Sequence, residues 1–330
     1  MNAATGAMRA AVLAEPRRFK IAEVQRPVPG PGEVRIRLEG CGVCASNLPA
    51  FEGRDWFNYP LPPGDLGHEG WGVVDACGPG ADRVEPGTRV AALSFRAYAE
   101  YDVARADAIA TLPEKLDGVP FPGEAIGCAM NIFRRAQING GQTVAIIGAG
   151  FLGALLTRLA AQTGAKVIAI SRAPFSLAQA RAMGAIETLT LDDHYRIIAE
   201  VERLTGGRWC ERVIEATGKQ WPLDLAGELT AFGGRLVIAG YHQDGPRSVN
   251  MQLWNWRGID VINAHERDPA VAAAGLRAAV TAAADGTLDA QPLITHRFPL
   301  ASIDAALKAA RDRPDGFTKA VVLMDGGDGR

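Results

Sequence analysis

Residues 143–172, TVAIIGAGFLGALLTRLAAQTGAKVIAISR, restrict the fold more than any other stretch. The apolar run Val144–Ile147 has the continuity of a strand buried on both faces of a parallel sheet. Gly148-Ala149-Gly150-Phe151-Leu152-Gly153 follows as a complete GxGxxG. Leu152, Leu155, Leu156 and Leu159 then recur at helical spacing, Gly164 stands where a helix C-terminus needs a left-handed residue, and Val167–Ile170 reads as a second strand. A GxGxxG alone is a weak signal. Strand, glycines, amphipathic helix and second strand in one unit predict a dinucleotide site. Gly148 makes the tight turn, Gly150 admits a pyrophosphate close to the backbone, and Gly153 lets the helix pack on the strand. Phe151 and Leu152 open the helix, whose N-terminal N–H groups and positive dipole end face the phosphates.

The surrounding chain alternates strand and helix from 121 to 287. Arg212–Ala216, Arg235–Ala239 and Ile259–Ile262 read as strands. Asp192 or Asp193 is placed to cap a helix, and Asp268 followed by Pro269 starts an alanine-rich helix reaching Ala284. The expectation is a doubly wound, six-stranded parallel α/β sheet. Residues 1–120 read differently. Val34, Ile36 and Leu38 alternate with Arg35, Arg37 and Glu39, and Gly and Pro punctuate short strands expected at 71–77, 88–93 and 97–103. Residues 288–330 return to that style, with a helix near 302–311 and a last strand at 319–324. The organisation expected is a mostly β domain split in sequence, 1–120 and 288–330, with a dinucleotide domain at 121–287 inserted into it.

Composition narrows the partners. With 330 residues, 48% of them hydrophobic, there is material for two cores. A net charge of −2 with no dense basic run argues against nucleic acid or an anionic membrane surface. No apolar run approaches the roughly 18 residues of a membrane helix. Five cysteines, an odd number in a long chain, fit a reducing cytoplasm better than a disulfide framework.

The chemistry-bearing residues of the first domain lie in Gly40-Cys41-Gly42-Val43-Cys44-Ala45-Ser46-Asn47 and in Gly67-His68-Glu69-Gly70. Singly, Cys44 reads as a small buried hydrophobe and His68 as a core histidine. Together, beside a dinucleotide fold, thiolate, imidazole and carboxylate read as zinc ligands. These segments, with GHEGWGVV, GEAIGCAMN and VAIIGAGFLG in the same order, resemble the zinc-dependent alcohol dehydrogenase type of the medium-chain dehydrogenase/reductase superfamily, over about residues 8–325.

The resemblance implies a Rossmann sheet and a GroES-like, mostly β catalytic domain. It makes Cys44 and His68 ligands of one catalytic zinc. Cys128 is the favoured third ligand, and Glu69 or Glu124 exchanges in. Ser46 matches the hydroxyl that relays the substrate proton. The resemblance also implies hydride transfer between a secondary alcohol or polyol-like hydroxyl, or its ketone, and a nicotinamide, in a homodimer or homotetramer. Three departures qualify it. Val90–Ala104 contains no cysteine, so the four-cysteine structural zinc lobe is missing and no structural zinc is expected. Asn47 replaces the aspartate that commonly steadies the zinc-bound histidine, and its amide oxygen is the candidate acceptor for the imidazole N–H. The aromatic, proline-rich stretch Phe51–Pro63 and the pair Trp254 and Trp256 are candidates to wall a substrate cleft.

Cofactor choice is read at the end of the second strand. Ser171-Arg172 stands where NAD enzymes carry the acid that accepts both ribose hydroxyls, so NADP(H) is expected over NAD(H). Two other functions compete with this reading. A zinc-free quinone or alkene reductase of the same superfamily would not need Cys44, His68 and Glu69 together. A non-catalytic nucleotide-binding protein would turn nothing over.

Overall fold

A computed structural model describes residues 6–324. In chain order its elements begin with β1 (Ala7–Glu15), β2 (Arg18–Gln25) and β3 (Glu33–Gly42), then α1 (Leu48–Glu52), β4 (Gly70–Cys77), β5 (Arg89–Ala92), β6 (Tyr101–Arg105), β7 (Ile109–Thr111) and α2 (Gly123–Ala136). The alternating part follows: β8 (Thr143–Ile147), α3 (Phe151–Gln162), β9 (Lys166–Ser171), α4 (Pro174–Ala182), β10 (Glu187–Thr190), α5 (His194–Thr205), β11 (Cys210–Glu215), α6 (Gln220–Leu229), β12 (Thr230–Ile238), α7 (Met251–Arg257) and β13 (Asp260–Asn263). The chain closes with α8 (Pro269–Ala284), β14 (Ile294–Pro299), α9 (Ile303–Asp312) and β15 (Lys319–Leu323).

Contacts divide the chain after Gly127 and after Glu266 into two compact units. The sequence reading sets the breaks at 120 and 287. The differences are residues 121–127, which include the start of α2, and residues 267–287, which include α8; α8 belongs to the first unit because it packs on β7.

The second unit, Cys128–Glu266, holds one six-stranded sheet in the order β10-β9-β8-β11-β12-β13. Every pairing in it is parallel. The order reverses between β8 and β11, which makes their carboxyl ends the topological switch point where ligands bind such sheets. Both faces are buried. Val144 and Ile146 of β8 enter one apolar cluster with Leu156 and Val167, while Ala145 and Ile147 enter the other with Ile168 and Val213. That two-sided burial is why β8 reads as an unbroken apolar run. The predicted caps form: Asp193 Oδ1 accepts from Arg196 N–H at 2.7 Å, and Asp268 Oδ1 from Ala270 N–H at 2.8 Å.

The first unit is built on a seven-stranded, largely antiparallel sheet, β14-β15-β3-β4-β5-β7 with β6 paired to β3, and the hairpin β1-β2. Val34, Ile36 and Leu38 point into its core, as their alternation predicts. Arg35 is an exception to the polar-out face: it is buried, and its guanidinium is paired with Asp75 (Nε to Oδ2, 2.7 Å) and with the Pro27 carbonyl. β15, from the end of the chain, pairs antiparallel with the end of β3 in the register Val321↔Gly42. That pairing brings residues near 320 beside residues near 43.

Candidate functional site

β3 ends at Gly42, and the chain turns through Val43 and Cys44 into the short 3-10 turn Ala45–Asn47 and then α1. The turn is fixed by backbone and side chain together. Val43 N–H donates to Ala320 O at 2.9 Å, and Cys44 N–H donates to Asn47 Oδ1 at 3.1 Å. Tyr98, fully buried, places its hydroxyl 3.2 Å from both this amide oxygen and Gly42 O, sharing its one proton between them. His68 and Glu69 sit in the segment before β4. Ligand atoms of Cys44, His68 and Glu69 lie within 4.8 Å of one another, and among the described residues this is the one such group of three. Glu124, in the first turn of α2, places Oε2 3.9 Å from His68 Nε2. Cys128 lies one helical turn further along α2 and is exposed. Ser46 is half-buried inside the 3-10 turn. Cys41, the other cysteine of the motif, is fully buried in β3, and burial followed by the charge of Glu69 pushes its thiol pKa well up. Cys41 is therefore an inert packing thiol.

Asn47 does not accept the imidazole N–H. Its oxygen is taken by Cys44 N–H and Tyr98. Its Nδ2 donates instead to the Leu66 carbonyl at 2.8 Å, the same carbonyl that lies 3.2 Å from His68 Nδ1. A carbonyl can only accept, so Nδ1 carries its proton and Nε2 is the nitrogen left for the cluster. Asn47 thus steadies His68 at one remove, through Leu66. Burial alone would lower the imidazole pKa. The hydrogen bond with Cys44 and the charges of Cys44, Glu124 and Glu69 outweigh that and raise it from 6.5 to about 10.

Glu69 is fully buried, and its countercharge is Lys319 at the start of β15, 5% exposed. Lys319 Nζ donates to Oε1 at 2.7 Å and lies 2.6 Å from Oε2, which receives no aligned hydrogen bond. Gly42 makes room for this carboxylate, since a Cβ there would fall 1.8 Å from Oε2. Burial would lower the Lys319 pKa, but the charges of Glu69 and Cys44, the hydrogen bond to Glu69 and the charge of Glu124 raise it. Lys319 escapes sequence reading because it stands at the edge of an apolar strand, where a lone lysine looks like a boundary. Its one sequence signal is that edge position itself. A thiol sulfur, an imidazole Nε2 with its tautomer fixed from behind, and a carboxylate oxygen with an unused lone pair form a donor set that fits zinc.

In the second unit the glycine turn has the expected build. Gly148 has φ +102, and its N–H donates to Ile170 O at 2.8 Å. A Cβ on Gly153 would fall 1.9 Å from Gly148 O, so helix and strand close to a distance only glycine permits. Ala154 N–H closes the first helical bond on Gly150 O at 2.8 Å, Phe151 is buried and Leu152 half-buried. β9 ends at Ser171, half-buried, and Arg172 is exposed. Among the described residues neither the Ser171 hydroxyl nor the Arg172 guanidinium is engaged by another side chain. The turn and these two groups fit a phosphorylated dinucleotide.

The aromatic candidates divide. Phe51 is core, Phe57 and Tyr59 pack against that core, and Trp56 is exposed. Trp254 packs on the second unit's core, whereas Trp256 is exposed.

Residues 30–129 match the family described as alcohol dehydrogenase GroES-like domain, and residues 152–280 match zinc-binding dehydrogenase. An alcohol dehydrogenase of Geobacillus stearothermophilus is 31% identical over 270 residues, covering 71% of this chain and 77% of that protein. The sorbitol dehydrogenase of Rattus norvegicus is 28% identical over 326 residues, covering 86% and 88%. Among solved structures, a protein of Sinorhizobium meliloti 1021 bound to NADP shares the fold with a TM-score of 0.83 at 24% identity, over 97% of this chain and all of that one. The chain belongs to the zinc-dependent alcohol dehydrogenase-like family of the medium-chain dehydrogenase/reductase superfamily, with an alcohol dehydrogenase GroES-like domain and a zinc-binding dehydrogenase domain.

Proposed function

We propose that this chain is a zinc-dependent oxidoreductase that transfers a hydride between a secondary alcohol or polyol-like hydroxyl, or its ketone, and NADP(H). The observation that carries the reading is the convergence of Cys44, His68 and Glu69, with Glu124 beside His68, in a chain that also holds the complete GxGxxG unit. Cys44 and His68 would hold one zinc per chain, with Cys128 as third ligand and Glu69 or Glu124 exchanging in. When bound, zinc supplies Lewis acidity toward the substrate oxygen, and NADP(H) supplies the redox chemistry.

The chain's own residues do the rest. Ser46 Oγ accepts the hydroxyl proton of the alcohol and passes it on. Asn47, through the Leu66 carbonyl, keeps His68 in the tautomer that presents Nε2. The N–H groups at the start of α3, including those of Phe151 and Leu152, face the pyrophosphate across Gly148, Gly150 and Gly153. Ser171 and Arg172 hold the 2′-phosphate. The sorbitol and alcohol dehydrogenase relatives support a small alcohol or ketone as the partner. The assembly proposed is a homodimer or homotetramer in the cytoplasm.

The test is an absorbance assay for nicotinamide turnover over a panel of alcohols, polyols and ketones, with both cofactors. A charge-assisted hydrogen bond contributes about 1.5–3 kcal/mol, so kcat/KM should favour NADP(H) by roughly ten- to a hundredfold. Arg172→Ala should erase most of that preference, and Ser171→Asp should invert it. Equal values for the two cofactors in the unaltered protein would mean that Ser171 and Arg172 do not read the phosphate. No turnover with any member of the panel would favour a non-catalytic protein.

A further inference from the structure

Glu69 has two possible cationic partners, and the fold holds one of them in place. Lys319 and Glu69 are 250 residues apart and both are buried, with Nζ 2.7 Å from Oε1 and 2.6 Å from Oε2. The ammonium cannot drift away, because β15 is locked to β3 by the register Val321↔Gly42 and by Val43 N–H on Ala320 O. The carboxylate is bounded on another side by Gly42, whose backbone leaves no room for a Cβ against Oε2. The same carboxylate lies within 4.8 Å of the ligand atoms of Cys44 and His68. A buried carboxylate left without a countercharge is strongly disfavoured, so it must sit on whichever cation it can reach.

We propose that Lys319 is a positioning residue that holds the Glu69 carboxylate on its ammonium, as a reserve ligand, and so decides whether the metal centre includes Glu69. This rests on the metal reading above. With Lys319 in place the resting carboxylate stays back, exchanging in only as it leaves the ammonium, and the metal keeps the ligands provided by the rest of the site. Without Lys319 the metal becomes the cation the carboxylate can reach, and the carboxylate closes onto it. A purely structural ion pair would stabilise the fold without changing the metal's ligand set.

Cobalt(II) in place of zinc separates the two, because the intensity of its visible ligand-field bands falls several-fold when a fourth ligand is joined by a fifth, while the sulfur-to-metal band reports Cys44. The spectra compared are those of the full-length protein and of Lys319→Met, Lys319→Arg, Glu69→Gln and the double variant Lys319→Met with Glu69→Gln, each loaded with cobalt(II). The expected result is weakened ligand-field bands with an intact sulfur band in Lys319→Met. Spectra like the unaltered protein's are expected in Lys319→Arg, in Glu69→Gln and in the double variant. The double variant removes both charges and leaves neither buried alone, so it reports even where Lys319→Met folds poorly: its spectrum must match that of the unaltered protein. A change in Glu69→Gln alone, or in the double variant, would show that the carboxylate already ligates and overturn the proposal. An unchanged spectrum in well-folded Lys319→Met would overturn it as well. The absence of any sulfur-to-cobalt band in the unaltered protein would overturn the metal reading itself, whereas a band that ignores Lys319 overturns this inference alone.

Discussion

Ser46 sits in the turn that presents Cys44, one residue before the buried Asn47 whose oxygen holds the Cys44 N–H. Its backbone is fixed by neighbours that do not involve its hydroxyl, so Ser46→Ala should leave the turn and the metal site intact. The expected loss in rate is about 10²–10⁴, the usual range for a positioned acid–base group, with cofactor affinity unchanged. An unchanged rate and pH profile would place the proton relay elsewhere. His68 gives a second residue-scale test. In the metal-free protein its pKa is about 10 against 6.5 for a free imidazole, so its stabilising contribution is complete below about 6.5 and is lost as pH rises through about 10. Metal must displace that proton from Nε2. Chelator competition should therefore show metal affinity rising about tenfold per pH unit between roughly pH 7 and 9. A flat profile would mean that binding displaces no proton from His68 or Cys44 in that range. The convergence of Cys44, His68 and Glu69 was legible because their chemistry is concentrated in two short segments. Lys319 was not, since its partner lies 250 positions away and only the β15–β3 pairing unites them. The detour of Asn47 through the Leu66 carbonyl was equally hidden, because it depends on which amide atom faces Tyr98.

At the scale of elements, the join of β8 to α3 carries the dinucleotide reading. Gly153→Ala would set a methyl 1.9 Å from Gly148 O, a backbone atom that cannot swing aside. Overpacking of this kind costs roughly 1–3 kcal/mol. Thermal unfolding should shift downward and NADPH binding, followed by its fluorescence, should weaken. A variant with unaltered midpoint and affinity would contradict the close helix–strand contact. Strands with continuous apolar runs, such as β8 and β9, were legible for the same reason they are buried on both faces. β10 (ETLT) was not singled out: it is an edge strand in which Leu189 alone is buried, so neither alternation nor an apolar run marks it. The strand expected at 97–103 forms later, at Tyr101–Arg105. The residues before it are drawn off by other partners, Ala97 N–H bonding to Gly67 O and Tyr98 N–H to Gly64 O.

For the whole molecule, the net charge is −2, and among the described residues no helix is long and apolar enough to cross a membrane. All five cysteines are free thiols, which leaves Cys44 available as a ligand. The proposed chemistry depends on one zinc at Cys44 and His68. The most direct measurement is elemental analysis of freshly purified protein beside its Cys44→Ser variant, with turnover and circular dichroism on the same samples. About one zinc per chain is expected in the active unaltered protein, and a folded Cys44→Ser protein without metal or turnover, since the ligand sits in a loop outside the core sheets. Full activity in unaltered protein holding less than about a tenth of an equivalent of metal would contradict it.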